Sequence, residues 1–254
     1  MTLLATDNLQ KEFGGVRALD GVSLDIDQGE LVGIIGPNGA GKTTLFNCVS
    51  GVEEPTAGTV HLNGDNITNK STDTIAQKGL VRTFQLTREL QTMTVRENVM
   101  LAAPDQPGEH TIPALLHNEE MQSREREVRQ QADELINQFE LDHLATEYSG
   151  NLSGGQRKLL ELARALMLDP AILMLDEPFA GVNPTLTRKL TNHIKSLNEN
   201  GQTVIVIEHE LETLTELVDR LIVLQQGKLL VEGDPDEVVE DERVIEAYLG
   251  GDIE

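Results

Sequence analysis

Eight consecutive residues, Gly36-Pro37-Asn38-Gly39-Ala40-Gly41-Lys42-Thr43, have the types and spacing that cradle phosphate groups. They follow the apolar run Leu31 to Ile35 and precede a stretch that holds Leu45, Phe46 and Val49, so the strand, loop and helix setting of a phosphate-binding loop (P-loop) is present. In that setting glycines let backbone amides close around the phosphates, and the helix N-terminus adds positive dipole. The Lys42 ammonium offsets charge on the outer phosphates, and the Thr43 hydroxyl is a ligand for Mg²⁺. Gly36, Asn38, Gly39, Gly41, Lys42, Thr43 and the adjacent Thr44 are the candidate nucleotide-binding residues. A second constellation, Ile172-Leu173-Met174-Leu175-Asp176-Glu177, is an apolar run that ends in two acids. Carboxylates at the carboxyl end of a core strand lie on the P-loop side of a sheet. Asp176 is the candidate to hold Mg²⁺ through water, and Glu177 the candidate to orient or deprotonate the water that attacks a γ-phosphate in line. Alone, such a pair is structural about as often as catalytic; beside a P-loop the catalytic reading is favoured.

These residues need elements to position them. Short apolar runs bounded by turn residues, clearest at Leu31 to Ile35, Ile172 to Leu175 and Val204 to Ile207, alternate with stretches of helical periodicity. That is the pattern of an α/β fold with buried, largely parallel strands. The start differs: Val22, Leu24 and Ile26 alternate with polar residues up to Gln28-Gly29, and Val60 and Leu62 up to Asn63-Gly64, which predicts a small antiparallel sheet. From about Thr87 to Leu160 the strand signal disappears, and Val128, Ala132, Leu135, Ile136 and Phe139 fall at helical spacing, the mark of an inserted helical subdomain. Pro104 to Pro113 reads as an exposed loop. Asp234-Pro235-Asp236-Glu237 supplies an N-cap, a proline at the first helical position and early acids. It predicts a terminal helix with Val238, Val239, Ile245 and Leu249 as its apolar set.

The 254 residues, 39% hydrophobic, are enough for a sizeable core. A formal charge of -23 would repel nucleic-acid phosphates, so no nucleic-acid partner is expected. The acid excess fits either an ordinary acidic soluble protein or a salt-rich cytoplasm that screens its self-repulsion; the second reading predicts stability rising from low salt to molar KCl. The single cysteine, Cys48, has no internal disulfide partner, and the first residues lack the charge and apolar run of a signal peptide, so the chain is expected to stay in the cytoplasm. No apolar run approaches the ~20 residues that span a bilayer, so membrane attachment has to come through partners.

Asn151-Leu152-Ser153-Gly154-Gly155-Gln156, shortly before the acidic strand, resembles the signature sequence of ATP-binding-cassette ATPases. A plain helix start is the alternative reading, since Ser153 and the glycines suit one. The resemblance covers essentially the whole chain as one cassette domain, residues 1–254, with the helical subdomain at about 87–160. It implies a P-loop NTPase core with a mostly parallel sheet, an N-terminal antiparallel β subdomain and an inserted helical subdomain. It also implies head-to-tail pairing of two domains, with Ser153, Gly154 and Gly155 of one binding the γ-phosphate of ATP held in the other's P-loop. By the same resemblance Gln85 touches Mg²⁺ and the attacking water, His209 contacts the γ-phosphate, and Phe13 stacks on adenine. In isolation each of the three reads as a solvated, structural or core residue; the family order favours the functional reading. One departure is Asn183, where many members carry an aspartate at the turn that crosses the dimer; the missing charge weakens the expected link between the two sites.

Within the family the chain is most similar to importer ATPases for branched-chain amino acids and related amides, through Phe13 to Leu19, Arg82 to Gln85, Thr94 to Val99, Ile207 to Glu210 and Ala247 to Gly250. That likeness implies a peripheral subunit on the cytoplasmic face of the cell membrane. It implies two membrane-spanning permease subunits, a second ATPase subunit in a homo- or heterodimer, and an external solute-binding protein acting indirectly. An exporter or lipid-extraction ATPase, a soluble cassette ATPase and a regulatory subunit without turnover are the rival readings. The single cassette and the acidic charge argue against the soluble remodelling enzyme, and Glu177 argues against the silent subunit.

Overall fold

A computed structural model describes residues 1–83, 90–104, 119–209 and 211–249. The chain divides into a larger unit (Met1–Gln85, Ala171–Gly181 and Thr187–Glu254) and a smaller one (Leu86–Pro170 and Val182–Leu186). The expected exposed loop lies almost wholly at 105–118, outside the described residues.

The larger unit opens with β1 (Thr2–Phe13) and β2 (Val16–Asp27), an antiparallel pair joined at Gly14-Gly15, both with positive φ. Strand β3 (Leu31–Ile35) follows the Gln28-Gly29 turn and starts the second sheet. Strands β4 (Ala57–Leu62) and β5 (Asp65–Asn66) complete an antiparallel sheet ordered β2-β1-β4-β5. The Asn63-Gly64 turn between them has φ of 51° and 81°, the backbone that a tight hairpin demands. The second sheet is ordered β10-β9-β3-β8-β7-β6, with β6 (Leu80–Arg82), β7 (Ile172–Asp176), β8 (Thr203–Ile207), β9 (Arg220–Gln225) and β10 (Lys228–Gly233). All its pairings are parallel except that of β10 with β9. Every residue of β3, β7 and β8 is buried, which explains why they read as unbroken apolar runs and not as alternation.

Helix α1 (Lys42–Val49) contributes Leu45, Phe46, Cys48 and Val49 to one core shared with both sheets, including Leu9 and Ile26 on one side and Met174, Ile205 and Ile222 on the other. Burial of each large apolar side chain there contributes about 1.5 to 3 kcal/mol. This packing anchors the P-loop. A short helix, α2 (Thr72–Gln77), precedes β6.

The smaller unit contains α3 (Val95–Met100), α4 (Glu119–Gln138) and α5 (Gly154–Leu166), mutually packed. Val128, Ala132 and Ile136 of α4 and the following Phe139 are buried as their spacing predicts. Asn98, fully buried on α3, knits the unit together. Its Nδ2 donates to the Leu90 and Thr94 carbonyls at 3.1 and 3.0 Å and to Ser149 Oγ at 3.2 Å, and its Oδ1 accepts from the Leu90 amide at 2.9 Å.

Helices α6 (Pro184–Glu199) and α7 (Leu211–Thr215) flank β8 in sequence. The terminal segment differs from the sequence expectation, because two helices form instead of one: α8 (Pro235–Val239) and α9 (Glu242–Leu249). Asp234 caps the first, its Oδ1 accepting from the Asp236 amide at 2.9 Å. Asp241 restarts the second, with Oδ1 accepting from the Arg243 amide at 2.8 Å. The break rotates the buried face onto Val244 and Ala247 and leaves Ile245 exposed.

Candidate functional site

Parallel register places Ile34 of β3 opposite Ile207 of β8, and Ile207 opposite Asp176 of β7. The carboxyl ends of the three strands therefore meet at one edge, where the P-loop, Asp176-Glu177 and Glu208-His209 all emerge. Two P-loop glycines are required by the backbone. Gly36 has φ of 152° and a Cβ there would run into the Leu224 carbonyl; Gly41 has φ of 102° and its Cβ would stand 2.5 Å from the Ala18 carbonyl oxygen. Helix α1 starts without a side-chain cap or an acid in its first turn, so its leading amides keep their positive end for an anion.

Lys42 is buried, and its Nζ donates to the Gly36 carbonyl at 2.6 Å and the Pro37 carbonyl at 3.2 Å. Burial pulls its pKa below the ordinary lysine value, while the negative charge of Glu177 pushes it back up. Asn38, Gly39 and Thr43 are exposed and Thr44 is half-buried. Asp176 is buried, and its Oδ2 accepts from Arg82 Nη2 at 2.6 Å.

Glu177 has φ of 50°, a left-handed backbone that costs a non-glycine residue roughly 1 to 2 kcal/mol and gathers at functional positions. Its amide donates to the Ile207 carbonyl at 3.0 Å, and its Oε1 lies 2.7 Å from His209 Nε2. Glu208, itself buried, accepts from the Phe179 amide at 2.7 Å and so ties the turn after β7 to the end of β8. Phe13 ends β1 with 45% of its surface exposed, and Lys11 Nζ sits 4.7 Å from its ring centroid. Gln85 lies outside the described residues.

Ser153, Gly154 and Gly155 open α5 in the smaller unit. Ser153 Oγ accepts from the Gln156 amide at 3.3 Å, and Gln156 Oε1 accepts from the Ser153 amide at 2.8 Å, a reciprocal cap. The helix-start reading of this turn is thus satisfied. Among the described residues it leaves the Ser153 hydroxyl proton without an acceptor. Gly155 is enforced by packing, since a Cβ there would meet Leu186, whereas no described residue lies within 4 Å of a Cβ at Gly154.

A family model described as "ABC transporter" matches residues 19–180, and one described as "Branched-chain amino acid ATP-binding cassette transporter" matches residues 228–254. The chain belongs to the ABC transporter family. This ABC ATPase is 39% identical over 249 residues to the high-affinity branched-chain amino acid transport ATP-binding protein BraF of Pseudomonas aeruginosa, covering 98% of each chain. It is 38% identical to the high-affinity branched-chain amino acid transport ATP-binding protein LivG of Escherichia coli, again over 98% of each. Among solved structures it resembles a nucleotide-free ATP-binding cassette from an ABC transporter (38% identity, TM-score 0.83) and one in its ADP conformation (37%, 0.84), covering 98% of this chain and 99% of each of those. As in such cassettes, it binds nucleotide and couples ATP hydrolysis to transport. Among the described residues no helix is long and apolar enough to cross a membrane.

Three side chains close to this strand edge escape a motif-by-motif reading: Arg82, which meets Asp176, Glu208, which meets Phe179, and Tyr248, which lies near Gly36. The Tyr248 hydroxyl, carried on α9, is buried without a hydrogen-bond partner of good geometry among the described residues. Burial raises its pKa, and the nearby Gly36 amide of the P-loop opposes that rise. The oxygens that could hold Mg²⁺ at this edge are hard donors: the exposed Thr43 side chain at the head of α1 and Asp176 Oδ1, which carries no hydrogen bond among the described residues. No group of three or more His, Cys, Asp or Glu able to hold a metal occurs among those residues. A hydroxyl with one carboxylate fits Mg²⁺, which takes few protein ligands beside phosphates and water.

Proposed function

We propose that the chain drives an importer for branched-chain amino acids or related amides from the cytoplasmic face of the membrane. It acts as one cassette, residues 1–254, with its helical subdomain at about 87–160, beneath two membrane-spanning permease subunits. It pairs with a second ATPase subunit, and an external solute-binding protein delivers the solute. The substrate class rests on likeness over nearly the whole length to branched-chain amino acid transport ATP-binding proteins and on the matching segment at 228–254.

One observation carries the chemistry: Glu177 Oε1, 2.7 Å from His209 Nε2, stands at the strand edge that also presents Lys42. The P-loop amides and Lys42 hold the β- and γ-phosphates, and Phe13 stacks on the adenine. Thr43, Asp176 and Gln85 would hold Mg²⁺, which would withdraw charge from the phosphate oxygens. Glu177 accepts the proton of the attacking water as its oxygen bonds to the γ-phosphorus and ADP leaves. His209 steadies the Glu177 carboxylate and faces the γ-phosphate. Ser153, Gly154 and Gly155 of the opposite subunit supply the remaining donors, so hydrolysis is confined to the closed pair.

The test is reconstitution of the native complex in proteoliposomes. Leucine, isoleucine or valine with the binding protein should stimulate ATP hydrolysis; stimulation by none of them, with another solute active, overturns the substrate class.

A further inference from the structure

The buried ion pair between Arg82 and Asp176 has no place in the chemistry above. The two side chains are 8% and 7% exposed, and Arg82 Nη2 donates to Asp176 Oδ2 at 2.6 Å. The rest of the guanidinium is fastened to α1. Its Nη1 donates to Asn47 Oδ1 at 2.7 Å and to Ser50 Oγ at 3.3 Å, and its carbon lies 5.5 Å from the centroid of the Phe46 ring. Its backbone sits in β6, paired with Met174 of β7. Arg82 Nε is buried with no partner among the described residues.

Stability alone explains this arrangement poorly. A buried ion pair is often no better than apolar residues of the same volume, and an unpaired buried donor adds a further penalty. Geometry explains it better. The carboxylate torsion of an aspartate is broad and nearly two-fold, so a lone Asp176 would sample many planes. A guanidinium held by Phe46 and Asn47 of the P-loop helix and by Ser50 at its C-cap is a fixture, and its Nη2 fixes where Oδ2 of the acid sits.

We propose that Arg82 is a positioning residue for Asp176: it occupies Oδ2, presents Oδ1, and locks the acid of β7 to the helix that carries Lys42 and Thr43. The inference rests on the reading of Asp176 as a Mg²⁺ acid. It opposes the alternative in which Arg82 competes with the metal for Asp176. A competitor would have to swing away, and the bonds to Asn47 and Ser50 hold this one in place.

The test uses the full chain with ADP and Mn²⁺, following bound Mn²⁺ by electron paramagnetic resonance, with ADP affinity in EDTA measured alongside. Outer partners of metal ligands change metal affinity by about 10- to 100-fold. Arg82→Met should weaken Mn²⁺ by about tenfold and leave metal-free ADP affinity unchanged. Arg82→Lys keeps the charge but cannot bridge Asn47 and Asp176, and should weaken it as well. If Arg82→Met fails to fold, Asn47→Ala, which loosens the guanidinium without removing it, should give a smaller loss in the same direction. Unchanged or tighter Mn²⁺ binding in Arg82→Met, or full rescue by Arg82→Lys, overturns the proposal. So does unchanged Mn²⁺ binding in Asn47→Ala should Arg82→Met not fold. Asp176→Asn separates the two readings: wild-type Mn²⁺ affinity in that variant removes Asp176 from metal binding altogether, whatever Arg82 does.

Discussion

At the strand edge of the larger unit, Lys42, Asp176 and Arg82 are 5%, 7% and 8% exposed, and each is already bonded within the chain. At the head of α5 in the smaller unit, Ser153 and Gly154 are exposed; among the described residues Ser153 bonds only its own helix turn and nothing crowds Gly154. The first corner is preassembled, with charged groups whose geometry the core sets. The second is a row of donors with a spare hydroxyl proton and room for close approach. In the proposed pair a second subunit completes what this outward-facing row of donors begins.

The sharpest way to break the contrast is to disable the preassembled corner. Glu177→Gln should lower ATP turnover by about 10²- to 10⁴-fold, the span of general-base contributions, while ATP binding persists and a closed dimer accumulates in size-exclusion chromatography. Normal turnover would take Glu177 out of its role. Loading the open corner comes next. Ser153→Glu should cut turnover by about a hundredfold, the scale of losing one charge-stabilising donor, with ATP affinity of the single chain preserved. An equal loss of affinity would mean the two corners are not separable.

Two smaller perturbations test whether the smaller unit holds together by itself. Asn98→Ala leaves the Leu90 and Thr94 groups and Ser149 short of a buried partner, and should destabilise that unit by about 1 to 3 kcal/mol in chemical denaturation. Protection lost in hydrogen exchange should fall on α3 and its neighbours and spare β3. Thr94 and Glu97 form a reciprocal cap on α3, with Glu97 Oε2 accepting from the Thr94 amide at 2.7 Å. Thr94→Ala should cost about 1 kcal/mol, seen as a small shift of the melting midpoint with turnover nearly unchanged.

The parts of this design that were legible in the sequence are those with local patterns. Leu31 to Ile35, Ile172 to Leu175 and Val204 to Ile207 are strands because buried parallel strands carry no alternation to be confused with a surface. Gly36 to Thr43 sits where strand and helix flank it, and Asn63-Gly64 turns as its types dictate. What stayed hidden depends on distant partners. Arg82 meets Asp176 and Asn98 meets Ser149 far along the chain, and Glu208 reaches back to Phe179, so no spacing rule points to them. The break in the terminal helix has a different, local cause: Asp241, beside Arg243, serves as a second cap, and a continuous apolar pattern passes over it.

Cys48 gives the molecule a built-in stopwatch. It lies on the inner face of α1 at 4% exposure, and burial pushes its thiol from 9.0 up to about 11. Near neutrality it is protonated and shielded, so iodoacetamide should modify it only as fast as α1 lifts from the core. The same thiol makes alkaline solutions informative. Below pH 9.0 its contribution to stability is complete, and between there and about 11 the unfolded chain releases its proton first, so stability should drain with a slope that Cys48→Ala lacks. Nucleotide that clamps the head of this helix should slow the labelling clock in proportion to its occupancy, giving a readout of grip that needs no turnover at all.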